Sequence, residues 1–349
     1  MRSAVKKPSI KDVAREAGVS TATVSHVFSG KKRVNPASAD KVRKAADRLG
    51  YTVDRMAAQL RSRRANIIAV LVPSLEDLFL NRFISLIEAL ADEAGFQVIV
   101  SCSRDDPRIE RERLRALMGW RPSGLIIVPC IDTVPALLEK EHPEVPVVAV
   151  DRVNPALSQY DTVTIDDFAA GRAVADHLIG RGATSLLMLA SSDQIFTQKE
   201  RMRGIETRSA EARGVTVSSL IAGPAPEPAA AALGHWLDAR PRPCALIGLT
   251  NVMTLAALSA FATRAIEPPD DIMLAGFHDS LWMTARRVPV TTVAQPVDAV
   301  AKAAWDRIRA RLEADTGPVQ NIVYKSEVIA RASTCAGTAA RQQEVPGAL

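Results

Sequence analysis

Residues 9–28 have the sequence SIKDVAREAGVSTATVSHVF, which predicts two short helices that meet at Gly18. Ser9 and Asp12 stand three residues apart, which is the spacing of a capping box at the start of a helix. Gly18 can adopt the left-handed backbone conformation that ends a helix, and Ser20 can cap the helix that follows. Two short helices joined in this way predict a helix-turn-helix, whose second helix enters the major groove of DNA.

The residues around this pair complete a small helical domain, which we expect to span residues 1–53. Asn35 followed by Pro36 is a cap and first turn for a third helix, which ends at Gly50. Residues 1–64 contain 16 Lys and Arg against 5 Asp and Glu, whereas the rest of the chain contains 28 against 34. On shape alone, a small helical bundle of another kind is the alternative. The basic domain on an acidic body favours a protein that binds DNA phosphates.

The chain beyond residue 65 alternates between apolar, strand-like runs and helical patterns. Examples are the apolar runs at 67–72 and 124–128 and the helical period at 109–118. Such alternation predicts parallel sheets that are covered by helices on both faces. Residues 65–334 are too many for one comfortable core, so we expect two similar lobes.

The opening stretch, together with Val34-Asn-Pro, Gly50-Tyr51 and Met56-Ala-Ala-Gln-Leu60, resembles the N-terminal signature of the lactose/galactose repressor (LacI/GalR) family. The resemblance extends more loosely to about residue 334. It implies a small all-α helix-turn-helix head and an α/β two-lobed core with parallel sheets, like that of periplasmic binding proteins. It also implies a transcriptional regulator, expected to be a repressor. Such a protein binds a palindromic double-stranded DNA operator as a homodimer and responds to a small-molecule effector, a sugar or sugar acid.

The resemblance divides the chain into four parts. These are a helix-turn-helix head at 1–53, a hinge helix or linker at 54–64, an effector-binding and dimerisation core at 65–334, and a flexible tail at 335–349. Within the core, the first lobe is expected at about 65–164 and 292–323, and the second at about 165–291 and 324–334. By analogy with the family, the candidate dimer segments are 81–94, 219–222 and 253–262. The tail lacks leucine heptads, so no tail-driven tetramer is expected.

The resemblance also implies which residues contact DNA. Bases would be contacted by Thr21, Ala22 and His26. Most relatives carry Arg at the last of these, whereas His offers only one bond per ring nitrogen. Residues 54–62 resemble the family's hinge helix, whose leucine wedges into the minor groove. For residues 54–62, the alternative is a plain charged linker. For His26, the alternative is a neutral surface residue. The full set of expected DNA-binding residues is Ser20, Thr21, Ala22, Thr23, Ser25, His26, Lys31, Lys32, Arg33, Arg55, Ala57, Leu60 and Arg61.

Polar residues follow several of the predicted strands of the core. Ligands of open α/β lobes bind beyond the carboxyl ends of the strands, and these positions match the family's effector contacts. Carboxylates, guanidinium groups and amides suit a polyhydroxylated ligand, and an aromatic ring can stack on its apolar face. For each residue alone, a role in a loop or cap is an equally good interpretation. The expected effector-binding set is Ser74, Asp77, Phe79, Asp151, Arg152, Asp166, Arg201, Asn251, His278, Trp282 and Gln295.

Two positions depart from the family pattern. Val252 follows Asn251 where relatives usually have Asp, and His278 precedes Asp279 where relatives usually have a second Asp. These changes remove an acidic group from the expected pocket and add a possible cation. We hypothesise from them that the effector is anionic, a sugar acid or a phosphorylated sugar, held by Arg201 with help from His278 or Arg152.

The sequence contains no nucleophile elbow, phosphate-binding loop or dinucleotide-binding fingerprint, so we do not expect an enzyme. The five His residues are scattered and the four Cys residues include no Cys-x-x-Cys pair, so no metal or other cofactor is expected. We find no signal peptide and no apolar run of about 18 residues, which favours a cytoplasmic protein without a membrane partner. The alternatives are a solute-binding protein, which would need an export signal and no basic head, and an α/β sugar-processing enzyme, which would need a catalytic group.

Overall fold

The computed structural model describes residues 8–29, 34–51 and 66–335. Its internal contacts divide the chain into two compact units, Met1–Ala65 and Asn66–Leu349, which we call the head and the body. The hinge helix expected at 54–64 lies outside the described residues, as does all but the first residue of the expected tail. The expected DNA contacts that also lie outside them are Lys31, Lys32, Arg33, Arg55, Ala57, Leu60 and Arg61.

The described part of the head consists of three helices, α1 (Ile10–Ala17), α2 (Thr21–Ser29) and α3 (Pro36–Leu49). The local signals predicted from the sequence fix their ends: the Asp12 carboxylate accepts from the Ser9 amide at 2.9 Å, and Gly18 has a φ of 66°. The buried core shared by the helices contains Val13, Ala14, Val24, Val42, Ala45 and Ala46. Phe28 lies at the edge of this core, with 37% of its surface exposed.

The body alternates strands and helices along the chain. Its first elements are β1 (Ile67–Val72), α4 (Leu78–Glu93), β2 (Gln97–Cys102), α5 (Pro107–Gly119), β3 (Gly124–Ile127), α6 (Leu137–Glu141), β4 (Val147–Val150) and β5 (Asp161–Ile165). Then follow α7 (Asp167–Gly180), β6 (Ser185–Ala190), α8 (Phe196–Glu211), β7 (Thr216–Ile221), α9 (Pro226–Ala239), β8 (Ala245–Gly248), α10 (Asn251–Ala262) and β9 (Met273–Phe277). The last elements are α11 (Leu281–Thr284), β10 (Thr291–Ala294), α12 (Val297–Leu312), β11 (Asn321–Tyr324) and β12 (Glu327–Ile329).

The strands form two six-stranded sheets, one in each lobe. Their orders are β11-β5-β4-β3-β1-β2 and β12-β10-β9-β8-β6-β7. All neighbouring strands are parallel except β10 and β12, which pair antiparallel. Apolar clusters cover both faces of each sheet, which explains the continuous apolar runs of the central strands. Because parallel strands end at the same edge, each lobe gathers its strand-end loops along one side.

The chain crosses between the two sheets three times, as the resemblance implied, but two crossings lie later than expected. Thr292 pairs with Ile329 in the second sheet, so the chain leaves the second lobe after β10 and not at residue 292. Tyr324 pairs with Ile165 in the first sheet, so the last crossing also follows that residue. In each case the strand stays beside the preceding strand of its own lobe, β10 beside β9 and β11 beside β5.

Candidate functional site

The second helix of the head presents small polar residues at its start. Thr21 and Ala22 are exposed, whereas Thr23, Ser25 and His26 are half-buried. The exposed Ser20 caps the helix, because its Oγ accepts from the Thr23 amide at 3.1 Å. The first turn of α2 contains no acidic residue, so its backbone amides remain compatible with a phosphate group. The described DNA-contact candidates therefore all lie on α2 or at its N-cap.

In the body, the strand-end loops of the two lobes meet in a cleft that two contacts hold closed. Asn251 Nδ2 of the second lobe donates a hydrogen bond to Asp77 Oδ1 of the first lobe at 3.2 Å. The rings of Phe79 and His278 meet edge to face across the same cleft, with 5.1 Å between their centroids. These four residues belong to the predicted effector set, and the structure brings them together.

Arg201 is the most buried charged side chain of the cleft, with 2% of its surface exposed. Its Nε donates to Asp167 Oδ1 at 2.7 Å, and its Nη1 donates to the Leu249 carbonyl oxygen at 2.6 Å. The guanidinium group also lies over the Phe277 ring, 4.4 Å from the ring centroid. Burial raises the pKa of Asp167 to about 7, against the opposing charge of Arg201. Three elements of the second lobe thus fix one guanidinium group.

Two glycines allow this arrangement, because they let α7 and α8 pack backbone against backbone. A Cβ at Gly171 would lie 2.2 Å from the Arg201 carbonyl oxygen, and one at Gly204 would lie 2.2 Å from the Phe168 carbonyl oxygen. Such distances are far below van der Waals contact, so only glycine fits at either position. The close approach brings the start of α7, which carries Asp167, beside the Arg201 side chain.

Asp151 and Arg152 follow β4 and face the same cleft. Asp151 is buried, and within the described residues its Oδ1 accepts no hydrogen bond. Burial raises the pKa of Asp151, the charges of Arg201 and Arg152 lower it, and the charge of Asp77 raises it further. Arg152 forms an ion pair with Asp105 from the loop after β2. The neighbouring positions therefore differ: Arg152 has a counter-charge in direct contact and Asp151 has none.

His278 follows β9 and has a neutral imidazole at neutral pH. Burial lowers the pKa of this histidine to about 4; the Asp77 charge opposes the shift, and the Arg201 and Arg152 charges add to it. Its buried Nδ1 has no hydrogen-bond partner among the residues that the structure describes. The next residue, Asp279, accepts from both terminal nitrogens of Arg331, at 2.7 and 2.9 Å, and serves the second lobe's own structure.

Backbone strain also concentrates at this edge of the lobes. Arg104, Asp105, Asp151 and His278 have positive φ angles between 56° and 67°, and each follows the end of a strand. Residues other than glycine adopt this conformation at a cost of about 1–3 kcal/mol, and such residues cluster at binding sites. This observation is independent of the hydrogen-bond geometry and marks the same cleft.

The remaining members of the predicted effector set have other contacts. Ser74 Oγ accepts from the Glu76 amide at 3.0 Å within a turn, and Asp166 Oδ1 accepts from the Ala169 amide at 2.9 Å as the cap of α7. Trp282 packs on the apolar core of the second lobe. Both amide atoms of Gln295 are buried without a partner in the described chain, at the second crossing between the lobes. Of these four, only Gln295 has buried hydrogen-bonding atoms without a partner among the described residues.

Sequence reasoning missed Asp105, Asp167 and Phe277, which hold the two guanidinium groups of the cleft. Asp167 lies 34 residues from Arg201 along the chain, and Asp105 lies 47 residues from Arg152, so no local spacing joins them. The available signal for Asp167 was its position in the Asp166-Asp167 doublet directly before an apolar helical pattern.

Comparisons with known proteins agree with both parts of the chain. Residues 9–54 match the model of bacterial regulatory proteins of the lacI family, and residues 175–334 match that of the periplasmic binding protein-like domain. The transcriptional regulator DegA of Bacillus subtilis is 32% identical over 337 residues, which cover 94% of this chain and 98% of DegA. The chain belongs to the LacI family of transcriptional regulators. Its family relatives are DNA-binding regulators and not enzymes, as the sequence predicted.

Other LacI-family members extend the comparison. The regulator KdgR of B. subtilis is 26% identical, over 93% of this chain and 97% of KdgR. The lac repressor dimer bound to operator superposes with a TM-score of 0.82 at 23% identity, over 95% of this chain and all of that one, which confirms the predicted fold class. The complex of the regulator CelR with cellobiose has a TM-score of 0.68 at 25% identity, over 93% of this chain and 99% of CelR. Across the described residues, no helix combines the length and apolarity needed to cross a membrane.

Proposed function

We propose that this LacI-family regulator binds a near-palindromic operator as a homodimer and is switched by a small polar effector in the cleft of the body. The buried polar atoms of the cleft carry the effector part of this proposal. Asp151 Oδ1, His278 Nδ1 and both amide atoms of Gln295 are buried, and the described residues supply no hydrogen bond to any of them. Because buried polar groups in native proteins are nearly always paired, a ligand rich in hydrogen-bonding groups is their complement.

A carbohydrate suits this set of atoms. Its hydroxyls can donate to Asp151, exchange hydrogen bonds with Gln295 and pair with the His278 imidazole, while the Phe79 ring offers an apolar surface. The similar protein CelR was solved in complex with cellobiose, which supports a sugar for this chain. Trp282, which packs on the second-lobe core, is a weaker candidate for a stacking partner.

The DNA part of the proposal depends on the first turn of α2. Thr21 and Ala22 are exposed there, and small side chains allow a helix to approach base edges closely. One recognition helix contacts only a few base pairs, so useful specificity requires two half-sites and a symmetric dimer. The similar lac repressor was solved as a dimer bound to operator. Since the proposed partner is chromosomal DNA, we expect the protein in the cytoplasm.

Exposed apolar side chains support dimerisation through the body. Ile221 is 43% exposed and Leu255 is 47% exposed, and both fall in segments predicted to form the dimer, 219–222 and 253–262. Leu281, on the short helix α11, is 84% exposed. A second chain that covers these side chains would remove their apolar surface from water.

The switch follows from the two contacts that close the cleft. A ligand that binds between the lobes competes with the Asn251–Asp77 hydrogen bond and alters the contact between Phe79 and His278. It therefore favours one angle between the lobes, and operator affinity changes only as far as the ligand prefers that angle.

Retention of promoter DNA on the full-length protein, with and without a panel of sugars, tests the proposal. We expect at least one sugar to change the affinity for a fragment from upstream of the protein's own gene. The Arg201→Ala variant should bind the fragment and lose the response. Arg208→Ala, on the same helix but paired with Asp176 at the surface, is the matched control and should keep it. A normal response by Arg201→Ala would remove Arg201 from the site, and failure to retain any promoter fragment would overturn the proposal.

A further inference from the structure

We infer that the cleft selects its effector by charge, and that Asp77 and Asp151 exclude ligands that carry a carboxylate or phosphate. The effector is then a neutral or amine-bearing polyhydroxylated molecule. This inference rests on the effector site proposed above, and it replaces the anionic effector that the sequence had suggested.

The two guanidinium groups that act on Asp151 and His278 already have carboxyl partners. Arg201 is paired with Asp167 at 2.7 Å, with each side chain only 2% exposed, and Arg152 is paired with Asp105. Although burial raises the pKa of Asp167 to about 7, its carboxyl oxygen accepts from Arg201 Nε, so an anion held by Arg201 would have to displace that contact inside the same buried space. Breaking one partner away from a buried ion pair is strongly unfavourable.

His278 does not supply a positive charge that could pair with an anionic ligand. His278 is buried and its pKa is about 4, so the imidazole is neutral across the physiological range. A neutral imidazole can accept a hydrogen bond from a hydroxyl or ammonium group, or donate one to a neutral oxygen, but it offers no counter-ion to a carboxylate.

Two of the helix starts at the cleft are also capped by the chain's own side chains. Asp77 accepts from the amides of Phe79 at 2.8 Å and Leu80 at 3.4 Å, at the start of α4. Thr250 Oγ1 accepts from the Met253 amide at 3.2 Å, at the start of α10. Helix N-termini bind anions through such free amides. At these two helix starts a side-chain oxygen already uses one or two of the amides, which leaves fewer of them for an anion.

The carboxyl groups of Asp77 and Asp151 give the cleft an excess of acidic groups over unpaired basic ones. Neither Asp77 nor Asp151 has an ion-pair partner among the described residues, and the charge of one raises the pKa of the other. A ligand carboxylate would face both groups in a buried, poorly screened site, where like charges repel strongly. A hydroxyl or ammonium group would instead donate to Asp151 Oδ1, which has no hydrogen-bond donor in the described chain.

Calorimetry on the full-length protein at constant ionic strength tests this inference. The probes are sets of three related sugars, which we call triads: D-glucose, D-glucosamine and D-glucuronate, and the same three forms of galactose and mannose. In at least one triad, we expect the neutral or amino sugar to bind at least tenfold more tightly than the uronate. Asp151→Asn, which keeps the shape and removes the charge, should reduce that ratio at least tenfold. The surface variant Asp306→Asn removes a charge elsewhere and should leave the ratio unchanged.

The outcomes separate this inference from the proposed function. A uronate that binds as tightly as its neutral counterpart, or a ratio that Asp151→Asn does not change, overturns charge selection and leaves the effector site standing. If no member of any triad binds, the proposed sugar site itself is refuted, and the inference falls with it.

Discussion

The close packing of α7 on α8 makes a sharp prediction for Gly171→Ala. The added Cβ would lie 2.2 Å from the carbonyl oxygen of Arg201, and that oxygen belongs to backbone that cannot rotate away. To reach ordinary contact the two helices must separate by about 1 Å, which strains a well-packed interior. The displacement acts directly on the residue whose side chain pairs with Asp167.

The expected change in the free energy of unfolding of Gly171→Ala combines two opposing effects. Alanine in place of glycine favours a helix by up to about 1 kcal/mol, whereas overpacking costs about 1–3 kcal/mol, here at the upper end because backbone meets backbone. We therefore expect the free energy of unfolding of Gly171→Ala to fall by about 2 kcal/mol. Gly180→Ala is the matched control at the end of the same helix, because a Cβ there has nothing within 4 Å. It should be neutral or stabilising by up to about 1 kcal/mol.

Thermal unfolding of the full chain, followed by tryptophan fluorescence, measures the difference. For lobes of this size, 1 kcal/mol shifts Tm by about 2–4 °C, so the two variants should differ by roughly 4–12 °C. Gly171→Ala should also weaken the effector response, since Arg201 moves relative to Asp167. If Gly171→Ala is as stable as Gly180→Ala, the helices do not pack through their backbones, and our account of how Arg201 is positioned is wrong.

Two further predictions concern histidines. His278 has a pKa lowered to about 4 in the folded protein, so the unfolded chain binds more protons between pH 4 and 6.5 and stability is lost as pH falls through this window. On lowering the pH from 7.5 to 5, His278→Gln should gain about 2 kcal/mol in free energy of unfolding relative to the unsubstituted protein, and denaturant titrations that show an equal pH dependence would contradict this. In the head, His26→Arg should strengthen selection for guanine at one position of each half-site by about 1–3 kcal/mol, because Arg can form a bidentate pair. Selection from a randomised operator library measures this, and an unchanged base preference would exclude His26 from base contact.

The local signals of the sequence predicted most elements, and their failures have local causes. The caps at Ser9, Asn35 and Gly18 were sufficient for the three helices of the head. The helix after β3 begins only at Leu137, because the residue before Pro135 is disfavoured in helical conformation.

The strands at the crossings between the lobes carry weaker signals. β5 mixes Asp and Thr with apolar residues, and β11 and β12 are short, partly exposed edge strands. The strands that define them include partners distant along the chain, since β11 pairs with β5 and β12 pairs with β10. Propensity within a short window does not contain that information.

The residues of the candidate site also differ in how far the sequence could predict them. Asp77, Asp151, Asn251 and His278 follow or flank strand ends, and the rule that ligands bind there was enough to select them. The charge balance depends on Asp105 and Asp167, which contact Arg152 and Arg201 only through the tertiary fold. The sequence therefore predicted the positions that line the cleft, whereas the ion pairs that bear on the charge of the effector became visible only in the structure.

The strength of the contacts between the lobes fits a switch. One hydrogen bond of 3.2 Å and one edge-to-face ring pair join Asp77 and Phe79 to the second lobe. A hydrogen bond contributes about 0.5–1.5 kcal/mol and an aromatic pair a similar amount, so these contacts together supply about 2 kcal/mol. Allosteric coupling free energies are typically about 1–3 kcal/mol. A ligand that forms a few hydrogen bonds to Asp151, Gln295 and Arg201 can therefore shift the arrangement of the lobes, whereas tight packing across the cleft would have made that shift too costly.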